Sequence, residues 1–119
     1  MNIGFTGHRD CMTNPRGFDI IASKYPEAIW VHGGASGFDT QVHLYAKEHS
    51  IDVLVIRPNY KEFPGKIAPL KRNETIVETC DVIYACYDGR NRGGTLYTIN
   101  YARKIGKPVR LLHAQKQPK

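Results

Sequence analysis

Cysteine is scarce in this chain: Cys11, Cys80 and Cys86 are the only three, and no two form a Cys-x-x-Cys pair. That excludes a disulfide-dense mini-protein, and the thiols are expected to stay reduced in the cytoplasm. Zinc is not expected, because Cys80 and Cys86 fall on either end of a predicted strand and no histidine stands at finger spacing. No apolar run approaches the roughly 20 residues that cross a bilayer, so no membrane partner is expected. The opening residues lack the basic stretch and apolar run of a secretory signal. Internal repeats, low-complexity tracts and interdomain linkers are missing as well. Acidic residues are outnumbered, 11 against 17 basic ones, which leaves a net charge of +6.

What is present is ordinary for a globular protein: 41% hydrophobic and 24% charged residues over 119 positions. Those proportions exclude a disordered or collagen-like chain. The length suits one domain, expected over residues 1–113, with a flexible basic tail at 114–119. The positive balance fits either a solvated basic surface or an anionic partner, a nucleotide or a nucleic-acid backbone.

Short apolar runs alternate with helical stretches. Asn2–Thr6, Ala28–His32, Asp52–Arg57, Asp81–Tyr87 and Pro108–Leu112 read as strands. Between them, helices are predicted from Asn14-Pro15 to Lys24, from Phe38 to His49, over Lys66–Thr79 and over Thr95–Ile105. Asn14 caps the first and Gly106 ends the last. Five strands separated by helices imply an α/β fold with a parallel sheet and right-handed crossovers. Such sheets bind ligands beyond the carboxyl ends of their strands.

Three polar, glycine-containing turns fall at those ends. In the first, Gly7 permits a tight turn, Arg9 can clamp a phosphate, and His8 can donate to a phosphate or sugar. In the second, Gly33-Gly34-Ala35-Ser36-Gly37-Phe38-Asp39 opens a helix whose amides can hold an anion. There Ser36 offers a hydroxyl donor or a cap, and Asp39 offers a ribose contact or an acidic first turn. The third, Asp88 to Thr95, places Gly93, Gly94 and Thr95 at a helix start beside Arg90 and Arg92. Arg72-Asn73-Glu74 matters only if its helix face points into the same crevice. Tyr60 stands at a strand end where a base can stack. His43 reads as a packing residue.

Taken in order, Gly7-His8-Arg9, Gly33 to Asp39, Arg72-Asn73 and Gly93-Gly94-Thr95 resemble the SLOG superfamily. Its members include the DNA-processing Smf proteins and the lonely-guy phosphoribohydrolases, and the likeness is greatest to its small, single-domain YspA-like branch. The resemblance runs from about Asn2 to Val109. It implies a three-layer, Rossmann-like, doubly wound parallel sheet of about five strands in the order 3-2-1-4-5, a nucleotide or nucleotide-derived ligand over strands one and four, and a homo-oligomer. It carries Gly7, Arg9, Gly33, Gly34, Ser36, Arg72, Asn73, Gly93, Gly94 and Thr95 over as binding positions. It implies no cofactor.

One departure bears on chemistry. The phosphoribohydrolases place a glutamate soon after Gly-Thr, whereas Thr95 is followed here by Leu96-Tyr97-Thr98-Ile99-Asn100. A carboxylate is needed to stabilise the positive charge that develops on a sugar as its glycosidic bond breaks. Asp88 is the candidate for that role, with Asp39 and Glu74 behind it. The leading expectation is thus nucleotide binding. The alternatives are a nucleoside 5′-monophosphate N-ribohydrolase and an Smf-like binder of single-stranded DNA.

Overall fold

The computed structural model describes residues 1–115. Its centre is β1 (Asn2–Gly7), where Ile3, Gly4, Phe5 and Thr6 are all buried. β1 pairs in parallel with β3 (Ile29–His32) on one side and with β5 (Val82–Cys86) on the other. β4 (Val53–Val55) extends the sheet beyond β3, and β6 (Val109–Leu112) extends it beyond β5. The order β4-β3-β1-β5-β6 is the expected 3-2-1-4-5 order of the five sheet strands. The Rossmann-like topology follows, with the direction of winding reversing beside β1.

Side-chain alternation along the strands builds two cores. On one face, Ile3, Phe5, Trp30 and Tyr84 meet Phe18 and Ile21 of α1 (Pro15–Lys24). Phe38, Val42 and Tyr45 of α2 (Phe38–Glu48) complete that side. Phe5 and Trp30 pack with ring centroids 4.7 Å apart, and Trp30 stacks on Tyr45. Removing one such buried ring costs about 3–5 kcal/mol. On the opposite face, Val31 and Ile83 meet Ile76 and Val77 of α3 (Ala68–Thr79) and Ala102 of α4 (Gly94–Lys104). Gly4 lies under this second core, where a Cβ would come 2.6 Å from Ile83 Cδ1.

Element ends follow local chemistry. The Asn14 side chain accepts from the Arg16 amide at 3.0 Å and caps α1, with Pro15 at its first position. Two short strands were not expected from the sequence. β2 (Met12–Thr13) and β7 (Ala114–Gln115) pair antiparallel, so the first two residues of the segment expected to be a free tail are paired. The Thr13 hydroxyl strengthens the junction by donating to the His113 carbonyl at 2.8 Å. The rest of that expected tail, 116–119, lies outside the described residues. Among the described residues, no helix is long and apolar enough to cross a membrane.

Candidate functional site

A cleft of about 500 Å³ opens at the carboxyl ends of β1, β3 and β5. It collects Gly7, His8 and Arg9 from the first turn and Gly33, Ser36 and Asp39 from the second. Arg72 and Asn73 reach it from α3, and Arg90, Gly94 and Thr95 from the third turn. The condition on Arg72-Asn73-Glu74 is therefore met for its first two residues. Glu74 is engaged elsewhere, with Lys71 at 3.7 Å and with the Tyr97 hydroxyl. Four expected positions are not in the cleft wall. Gly34 lines a neighbouring hollow with His32 and His43. Gly93 precedes the α4 start with φ +102°. Asp88 faces an adjoining cavity, and Tyr60 stands 62% exposed on the β4–α3 loop.

Arg72 is the anchored cation of the cleft. Its Nη1 donates to the Gly33 carbonyl, and its Nε donates to Asn73 Oδ1 at 2.7 Å. A Cβ at Gly33 would stand 2.4 Å from Arg72 Nη1, so a larger residue there would push the guanidinium out of its place. Gly7 is constrained in the same way, by the Phe38 ring 2.5 Å from its would-be Cβ.

The second turn is organised by the chain's own acid. Asp39 Oδ2 accepts from the amides of Gly33 at 3.2 Å and Ala35 at 3.1 Å. Burial pushes the Asp39 carboxyl up to about 6, against the pull of those amides and of Arg72. The Gly34 amide donates to His32 Nδ1 at 2.9 Å, so three of the turn's amides already have acceptors. What the turn presents outward is Ser36 and the first turn of α2, which has no side-chain cap. Gly37, with φ +81°, presses against the first turn: a Cβ would lie 1.8 Å from the Arg9 carbonyl oxygen.

The third turn carries an ion-pair knot. Arg90 Nε donates to both Asp88 oxygens, at 2.9 and 3.1 Å, and its Nη2 reaches Asp10 Oδ1 at 2.9 Å. The guanidinium holds the Asp88 carboxyl well below the usual carboxylate range. His8 is buried, with Nε2 3.5 Å from Asp88 Oδ1 and no hydrogen-bond partner. Burial and the Arg90 charge lower its pKa, against the pull of Asp88 and Asp10, which keeps the imidazole neutral. Behind the knot, α4 begins at Gly94 with Gly93 as its N-cap and no side-chain cap. Sequence reasoning missed Cys11 as part of this region and gave Asp10 and Gly37, which it placed in the turns, no partners, since those partners lie far away along the chain.

No protein-family model matches the sequence, and no curated protein matches it. Solved structures do. DNA processing protein A from Streptococcus pneumoniae superposes with a TM-score of 0.75 at 20% identity, over 92% of this chain and 49% of that one. DNA processing protein A from Helicobacter pylori, whose structure concerns its single-stranded DNA binding mode, gives 0.69 at 19% identity over 93% and 64%. The fold is similar to that of the matched part of DNA processing protein A. This agrees with the fold expected from the SLOG resemblance. The chain spans about half the length of the Streptococcus DNA processing protein A structure it matches.

Proposed function

We propose that the cleft binds a nucleotide or nucleotide derivative through its phosphate. The observation that carries this reading is Arg72, fixed by Gly33 and Asn73 in the same cleft as the uncapped starts of α2 and α4. Each helix start contributes roughly half a positive charge and amides without partners inside the helix. Arg9 stands exposed at the rim, free to close on the same anion. Asn73, set against Gly94, is placed to meet the sugar. The volume, about 500 Å³, falls in the range of small-molecule sites.

A second reading, single-stranded DNA, is favoured by the likeness to the Helicobacter protein, which binds single-stranded DNA, and by the +6 charge. It uses the same cations with several phosphates in place of one. Base release is supported less well. Asp88 is forked by Arg90 outside the cleft wall, and Asp39 is engaged by its own turn.

The test is calorimetric titration of wild type and Arg72→Ala with a nucleoside 5′-monophosphate. Loss of a charged hydrogen bond should cost about 1.5–3 kcal/mol, roughly 10- to 150-fold in affinity. Equal affinity in the two proteins overturns the assignment.

A further inference from the structure

A second cluster lies against the cleft and is not used by the proposed binding. His8 Nε2, Cys11 Sγ and an Asp88 oxygen all stand within 4.8 Å of one another. The individual approaches are 3.5 Å from His8 Nε2 to Asp88 Oδ1 and 3.9 Å from Cys11 Sγ to Asp88 Oδ2. Donor atoms about 2.0–2.3 Å from a shared tetrahedral ion stand roughly 3.3–3.8 Å apart, so three ligand atoms within 4.8 Å of one another have to close by about 1 Å at most.

A buried polar atom normally has a partner, and His8 Nε2 has none. It stands beside Asp88 in the cluster instead. We infer that His8, Cys11 and Asp88 form a three-ligand site for a zinc-type divalent cation, with one position left open to water or an anion. The donor set favours this class of ion: imidazole, thiolate and one carboxylate suit zinc, whereas magnesium and calcium take oxygen.

The local charge agrees. With the Cys11 thiol ionised, that thiolate and the Asp88 and Asp10 carboxylates exceed the Arg90 guanidinium by two negative charges, the charge of the cation. Arg90 places two donors on each Asp88 oxygen, so ion binding takes one oxygen from the guanidinium, which keeps its Nη2 contact with Asp10. On binding, the Cys11 S–H bond breaks, the proton goes to solvent, and a metal–sulfur bond forms. His8 lines the cleft whereas Cys11 and Asp88 line the adjoining cavity, so the cluster stands between the two.

The probe is cobalt(II), titrated into protein reduced with a phosphine. The expected result is one equivalent per chain, a thiolate-to-cobalt charge-transfer band and one proton released per ion. Cys11→Ala should abolish the band. His8→Gln should keep the band and weaken cobalt binding at least about tenfold, since even groups that merely orient a ligand are worth that much. Should Cys11→Ala fail to fold, Asp88→Asn, at an exposed carboxylate, carries the test through the same tenfold loss. The inference is overturned by the absence of a stoichiometric band, by a band that survives Cys11→Ala, or by unchanged affinity in Asp88→Asn.

Discussion

Gly37→Ala tests whether the first and second turns are locked together. Two costs fall on that substitution. The native φ of +81° is left-handed, which costs a residue with a Cβ about 1–2 kcal/mol. The new Cβ would also stand 1.8 Å from the Arg9 carbonyl oxygen and 2.6 Å from its carbon. Those are backbone atoms, so the whole first turn has to move, and overpacking of this kind adds about 1–3 kcal/mol. Gly106→Ala is the control for positive φ: its φ is +79°, and nothing lies within 4 Å of its would-be Cβ. Both variants reduce the freedom of the unfolded chain equally, so that contribution cancels. Urea unfolding should therefore show Gly37→Ala less stable than Gly106→Ala by about 1–3 kcal/mol. Nucleotide affinity should fall in Gly37→Ala alone, because Arg9 is displaced. Equal midpoints for the two variants would refute the lock.

Two buried groups give opposite pH dependences. His32 Nδ1 accepts from Gly34 and its Nε2 faces His43 Nδ1 at 3.0 Å, so His32 Nε2 carries the proton. Burial, then the charges of His43, Arg57 and Arg72, lower His32 to about 4. Its contribution is present above pH 6.5 and lost as pH falls toward 4, up to about 3 kcal/mol. Asp39, raised to about 6, works the other way: its contribution is full below pH 4 and lost as pH rises through 6. Asp39→Asn should steepen the loss of stability between pH 6.5 and 4, and His32→Gln should reverse the slope. Unchanged slopes in urea midpoints measured across that range would refute both assignments. Arg9→Ala should weaken nucleotide binding by about 1–3 kcal/mol without moving the unfolding midpoint, and calorimetry with unfolding curves would reveal otherwise. Asn14→Ala should destabilise by about 1 kcal/mol through the lost cap, and a thermal melt that does not shift would contradict it.

The five sheet strands were legible because apolar runs ending in glycine turns are strong local signals, and their order came from the SLOG resemblance. β2 and β7 were not, since two residues carry no periodicity. The convergence of Gly7, Gly33, Arg72 and Gly94 on one cleft follows from parallel strands ending together. Asp39 was readable only as an alternative: an acid in a first helical turn looks the same whether it meets a sugar or its own backbone. The knot of Asp10, Asp88 and Arg90 and the His8–Cys11–Asp88 cluster join residues some 80 positions apart, which spacing cannot reveal. Tyr60 was placed by its strand end, but the β4–α3 loop carries it clear of the cleft wall and leaves it exposed.

The central claim, an anion-led nucleotide site, is tested most directly by thermal shift against matched ligands. The set is a nucleoside, its 5′-monophosphate, inorganic phosphate and a short single-stranded oligonucleotide. A ligand at 100 times its dissociation constant adds about 2.7 kcal/mol, a visible rise in melting temperature. The predicted result is stabilisation by the monophosphate, none by the nucleoside, and loss of the effect in Arg72→Ala. Stabilisation by the oligonucleotide alone, or equal responses to nucleoside and monophosphate, would contradict it.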